Sequence, residues 1–160
     1  MAVYEKIRFW GLMVGIVTAF TILLSLWPRS FLSSIDAEIK SVSVIIIENT
    51  LEHEQTKYTF NVGDPEFQEI LDVLNRYSYH ISMGTISNHI RDTAHIEDNK
   101  AGYWVKIYMY TEPDCYGDLY SITAGGTGEI IFDYGVYRIG YFGNKTQLKF
   151  MSEICQVVNP

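Results

Sequence analysis

Residues 9–27, FWGLMVGIVTAFTILLSLW, run without one charged side chain, and nothing else in the sequence constrains the chain so strongly. As a helix rising about 1.5 Å per residue the segment is roughly 28 Å long, close to the hydrocarbon thickness of a bilayer. Asp, Lys or Arg at its centre would cost about 3 kcal/mol each. The expected organisation is a cytoplasmic N-terminus (residues 1–8), one transmembrane signal anchor (9–27), a linker (28–38) and an extracytoplasmic domain (39–160). Trp10 and Trp27 stand near opposite ends, where indoles favour the headgroup layer, and Phe9 joins the first belt. Lys6 and Arg8 precede the segment, while Arg29 alone follows closely before Asp36 and Glu38. The positive-inside rule therefore places the N-terminus in the cytoplasm and the C-terminal domain outside the cell membrane.

A cleaved signal peptide, releasing a secreted domain, is the competing reading. The apolar run is longer than a usual leader core, and the best cleavage candidate ends at Ala37 with bulky Ile35 at the other specificity position. Within the anchor, Gly11, Gly15 and Ala19 lie in one small-residue row. Such a row lets two helix backbones approach closely, which permits a homodimer through these three residues.

The chain carries a net charge of −7, and its first 27 residues contribute Glu5, Lys6 and Arg8, so the remainder is more acidic still. No basic stripe is present to replace phosphate counterions, which argues against a nucleic-acid partner. The same balance argues against the domain lying flat on an anionic lipid surface. Two cysteines, Cys115 and Cys155, permit a single disulfide. Cys155 falls on the apolar face of an expected helix, which favours two unpaired thiols.

Beyond the linker the pattern is one of short strands and two helices. Residues 40–47 are β-branched and begin with alternation, predicting a strand; residues 55–61 predict its return, with Tyr58 and Phe60 on one face. Gly63-Asp64-Pro65 marks a helix start, with Asp64 as the cap and Pro65 at the first helical position. Phe67, Ile70, Leu71 and Leu74 then follow at helical spacing to about Arg76. Residues 77–83 predict a short strand, and 84–102 a long polar loop. Residues 103–110 alternate Tyr103, Val105, Ile107 and Met109 against Trp104, Lys106, Tyr108 and Tyr110. Residues 112–118 read as a turn; 119–124 and 129–134 as strands joined by Gly125-Gly126-Thr127-Gly128; and 136–141 as a last strand. Asn144 is the expected cap of a final helix with apolar positions Leu148, Met151, Ile154, Cys155 and Val158. The expectation is an α+β, two-layer domain: a mostly antiparallel sheet with two helices on one face.

No constellation calls for catalysis. The glycine cluster at 125–128 leads into a strand rather than a helix N-terminus, so it reads as a turn and not a phosphate cradle. His89 and His95, with Asp92, Glu97 and Asp98, match no compact metal-ligand spacing, and no metal or other cofactor is expected. Glu112, Asp114 and Asp118 surround Cys115 without the order of a calcium loop, and no G-x-S-x-G surrounds a serine. The aromatics carry the remaining signal. Trp104, Tyr108 and Tyr110 share the strand face opposite the aliphatic one; if helices cover the latter, these three can bind a peptide, glycan or protein, the alternative being that this face is itself the buried one or is covered by residues 84–102.

The early strand pair, the Asp64-Pro65 helix, the strand at 103–108 and the segment EIIFDYGVYRI at 129–139, with Tyr134-Gly135-Val136-Tyr137 closing the sheet, carry a resemblance. Over about residues 40–158 the chain resembles small uncharacterised bacterial extracytoplasmic domains, found as lipoproteins or behind single membrane helices. The resemblance implies an envelope location and carries no catalytic residue with it. The expected function is a membrane-anchored recognition module (sensor, accessory or inhibitory, immunity-like) without chemistry of its own. The alternatives are a cell-envelope hydrolase using residues 89–98, and a structural subunit of a membrane complex.

Overall fold

The computed structural model describes residues 2–48, 54–81, 102–126, 128–132, 135–140 and 143–159. Within them the chain is α+β, with three α-helices and an eight-stranded antiparallel sheet. Helix α1 (Ala2–Leu26) contains the one described helix long and apolar enough to cross a membrane, over Lys6–Leu24. None of that stretch is buried. By length and composition it is an N-terminal apolar helix of the kind that serves as an anchor or a signal sequence.

The sheet is built from β1 (Arg29–Ser30), β2 (Ser41–Glu48), β3 (Gln55–Asn61), β4 (Ser78–Ile81), β5 (Tyr103–Glu112), β6 (Tyr116–Ala124), β7 (Glu129–Phe132) and β8 (Gly135–Ile139). Its order is β1-β4-β8-β7-β6-β5-β2-β3. Helix α2 (Pro65–Arg76) leads from β3 to β4, and α3 (Lys145–Val158) closes the chain.

Register sets the core. Val42 pairs Met109, Val44 pairs Ile107, Ile107 pairs Ile122 and Ile122 pairs Phe132. One parity therefore runs aliphatic across the strands, and these residues share a buried cluster with Phe67, Ile70, Val73 and Leu74 of α2 and Phe150, Met151 and Ile154 of α3. At its centre Phe31 is fully buried. It packs against Tyr79, Phe132 and Phe150 with ring centroids 4.9, 5.4 and 6.1 Å away. Residues 28–38, expected to be a linker, thus contribute β1 and a core aromatic.

Four local expectations change. The turn expected over 112–118 shrinks to a 3-10 turn at Pro113–Cys115, because β5 and β6 extend to Glu112 and Tyr116. Asp64 occupies the N-cap position of α2 but does not cap it. Its carboxylate instead accepts from the Asn61 N–H at 2.7 Å, closing the turn behind the helix. Asn144 likewise makes no cap bond to α3 and donates to the Gly126 carbonyl at 2.8 Å. On α3 the buried stripe is Gln147, Phe150, Met151, Ile154 and Val158, with Leu148 only half-buried. A glutamine replaces the expected leucine inside because the neighbouring hairpin supplies partners for its amide.

Candidate functional site

Trp104, Tyr108 and Tyr110 are brought together on one face of β5, all half-buried, while Val105, Ile107 and Met109 between them are fully buried. A strand period of two does this directly. Register adds neighbours that the sequence alone does not place. Trp104 pairs Ile47, Lys106 pairs Ile45 and Tyr108 pairs Ser43 on β2, while Tyr108 pairs Ser121 on β6.

The indole of Trp104 lies on Gly125, so closely that a Cβ at that position would overlap its six-membered ring. Gly125 directly follows the last residue of β6, and its missing side chain creates the seat. The aromatic ring in turn covers a glycine that would otherwise leave the sheet bare. Burial pushes the Tyr110 hydroxyl above its ordinary range, with Cys115 and Tyr108 adding to the effect. Tyr110 therefore presents a neutral hydroxyl at neutral pH.

The glycine turn after Trp104's seat is fastened by α3. Gln147 is fully buried; its Oε1 accepts from the Gly128 N–H, and its Nε2 donates to the Glu129 carbonyl at 2.6 Å. With Asn144 on Gly126, helix and hairpin form one unit.

Two other places carry chemistry-bearing groups. A pocket of about 440 Å³ is lined by Ile46, Glu48, Tyr103, Ser152, Cys155 and Gln156. Burial raises the Cys155 thiol, outweighing the hydrogen bond to Tyr103 that pulls it down, so this sulfur is a poor nucleophile at neutral pH. His80, buried on β4, pairs Arg138 on β8, which pairs Glu129 on β7. Burial and the Arg138 charge both lower its pKa. His80 is not among the residues that sequence pattern singles out, although the alternation around Tyr79 puts it on the face opposite the core.

Cys115 and Cys155 are both free thiols. His89, His95, Asp92, Glu97 and Asp98 lie outside the described residues. Among the described residues no group of three His, Cys, Asp or Glu side chains is placed to hold a metal ion. Of the residues expected to form the anchor, Phe9, Trp10 and Trp27 are exposed, and Gly11 and Gly15 have open space where a Cβ would stand. Ala19 is exposed on the same helix. Comparison with protein-family models, with curated proteins and with solved structures finds no match for this chain.

Proposed function

We propose that the chain is a single-pass membrane-anchored recognition module, with a cytoplasmic N-terminus and a domain outside that works without chemistry of its own. In this reading α2 and α3 form one layer on the aliphatic face of the sheet. Trp104, Tyr108 and Tyr110 then present the other face to a protein or peptide partner at the cell surface. The extracytoplasmic domains that the chain resembles would occupy the same place.

The seating of Trp104 on Gly125 is the observation that carries the proposal. A half-exposed indole held by the backbone has little rotamer freedom left to lose on binding, which is what a recognition anchor requires. The membrane part is supported by the exposed apolar stretch of α1.

In-cell photocrosslinking from position 106, compared between the native chain and the Trp104→Ser/Tyr108→Ser double variant, tests the surface. Loss of the crosslinked partner with an unchanged melting temperature is the expected result; identical crosslinking would remove the surface from consideration. Protease added to intact cells is expected to digest the domain. Digestion only after permeabilisation would invert the topology.

A further inference from the structure

Three of the chain's twelve basic residues, Arg76, Lys145 and Lys149, line one pocket of about 410 Å³ with Tyr77, Thr146 and Glu153. The pocket lies where the end of α2 meets the first half of α3. Glu153 forms its floor, its side chain only 19% exposed, while Arg76 and Lys149 are 62% and 73% exposed at the rim. One carboxylate oxygen stands 3.4 Å from the Arg76 guanidinium and the other 3.6 Å from Lys149 Nζ. A single floor carboxylate thus orients two cations and leaves a positive surplus in a chain that is otherwise acidic. Burial, then the hydrogen bond and charge of Glu153, push Tyr77 up to about 12 against the smaller opposing pull of Arg76. Its hydroxyl therefore keeps its proton throughout the physiological range. The first turn of α3 opens on the same place with no side-chain cap, because Asn144 is engaged with Gly126. The positive end of that helix dipole adds to the rim.

This arrangement fits an anion with several oxygens, a phosphate above all: guanidinium and ammonium groups stand on the rim, beside the first turn of a helix. The fold also indicates where such a phosphate comes from. Tyr77 directly precedes Ser78, Ser78 pairs Ser30, and Ser30 stands three positions beyond Trp27. Strand β4 also lies against α1 itself. Three extended residues, one strand spacing and one further residue add up to at most about 20 Å between the end of the apolar segment and the pocket.

We propose that this pocket holds the phosphate of an anionic phospholipid from the membrane that α1 enters, so that the domain is fixed at a second point beside its anchor. The proposal rests on the anchor reading of α1. Acidic side chains more than about 8 Å from the pocket oppose it little, because they are largely screened at physiological salt, and Glu153 within it is paired with Arg76 and Lys149.

The test uses the full chain in phosphatidylcholine nanodiscs with and without a minor fraction of phosphatidylglycerol. The lipid retained by each chain is measured by native mass spectrometry. The native chain is expected to retain phosphatidylglycerol above its share of the disc. Lys145→Gln/Lys149→Gln is expected to lose that preference by about 25-fold, at about fivefold per charge. Lys57→Gln, on exposed β3, is expected to keep it, and melting curves report whether each variant is folded. Incorporation into discs without a phosphatidylglycerol preference overturns the proposal and leaves the anchor intact. Failure to incorporate at all overturns the anchor reading and the proposal with it. Amide shifts at Lys145 and Thr146 on adding inorganic phosphate to phosphatidylcholine discs, without lipid preference, would make this a free-anion site and overturn the lipid source. The same shifts produced only by an acidic phosphopeptide would overturn it in favour of a protein ligand.

Discussion

Strand β6 is joined to its two neighbours by hairpins built on different principles. The β6–β7 turn is glycine-rich, and its geometry is held from outside by Gln147 and Asn144 of α3 and by the indole of Trp104 from β5. The β5–β6 turn contains no glycine at its tightest point. Asp114 and Cys115 both adopt left-handed backbone, with φ of 55° and 64°. Neighbouring strands pin it there. Asn61 Oδ1 accepts from the Asp114 N–H at 3.0 Å while Asn61 Nδ2 donates to Asp114 Oδ1 at 3.2 Å. Ser41 Oγ accepts from the Cys115 N–H at 3.0 Å and donates to the Glu112 carbonyl at 2.8 Å. One turn needs glycine because other groups press against it. The other tolerates ordinary residues in a costly conformation because side-chain hydrogen bonds over-determine it.

That contrast can be broken most strongly at Gln147. Gln147→Leu keeps the volume but leaves a buried Gly128 N–H and the Glu129 carbonyl without their partner. A loss of about 3 kcal/mol is expected in chemical denaturation. Next comes Gly125→Ala, whose methyl must displace the Trp104 ring. About 1–2 kcal/mol should be lost, with a red shift in tryptophan emission as the indole moves into water. On the other hairpin, Asn61→Ala removes the reciprocal pair with Asp114 at an exposed position and should cost about 1 kcal/mol. The smallest change has the opposite sign. Cys115→Gly relieves a left-handed non-glycine residue and should raise stability by about 0.5 kcal/mol, part of the relief being offset by glycine's greater freedom when unfolded. A destabilised Cys115→Gly would mean that the thiol, 4.0 Å from Thr59 Oγ1, contributes more than the strain costs.

The candidate surface was partly legible in the sequence. Alternation within β5 placed Trp104, Tyr108 and Tyr110 on one face, because successive side chains of a strand alternate whatever the strand packs against. It could not place Trp104 on Gly125, which depends on Val105 pairing Ala124 across β5 and β6. Helix starts show the same division. Gly63-Asp64-Pro65 and Asn144 announced α2 and α3 by residue type, yet both polar side chains bond elsewhere. A nearby Asn61 N–H and the Gly126 carbonyl compete for them successfully.

What the sequence by itself determined is whatever depends on a single stretch of chain. That includes the apolar N-terminal helix, the two later helices, most of the strands and the aliphatic and aromatic parities of β5, all set by local periodicity and turn chemistry. Tertiary structure alone decided which strands are neighbours, that Phe31 enters the core, that Gln147 is buried rather than Leu148, and that Arg76 meets Lys145 and Lys149 around Glu153. Those outcomes depend on pairings between residues dozens of positions apart. Local propensity contains no term for them; only the closure of the core selects them.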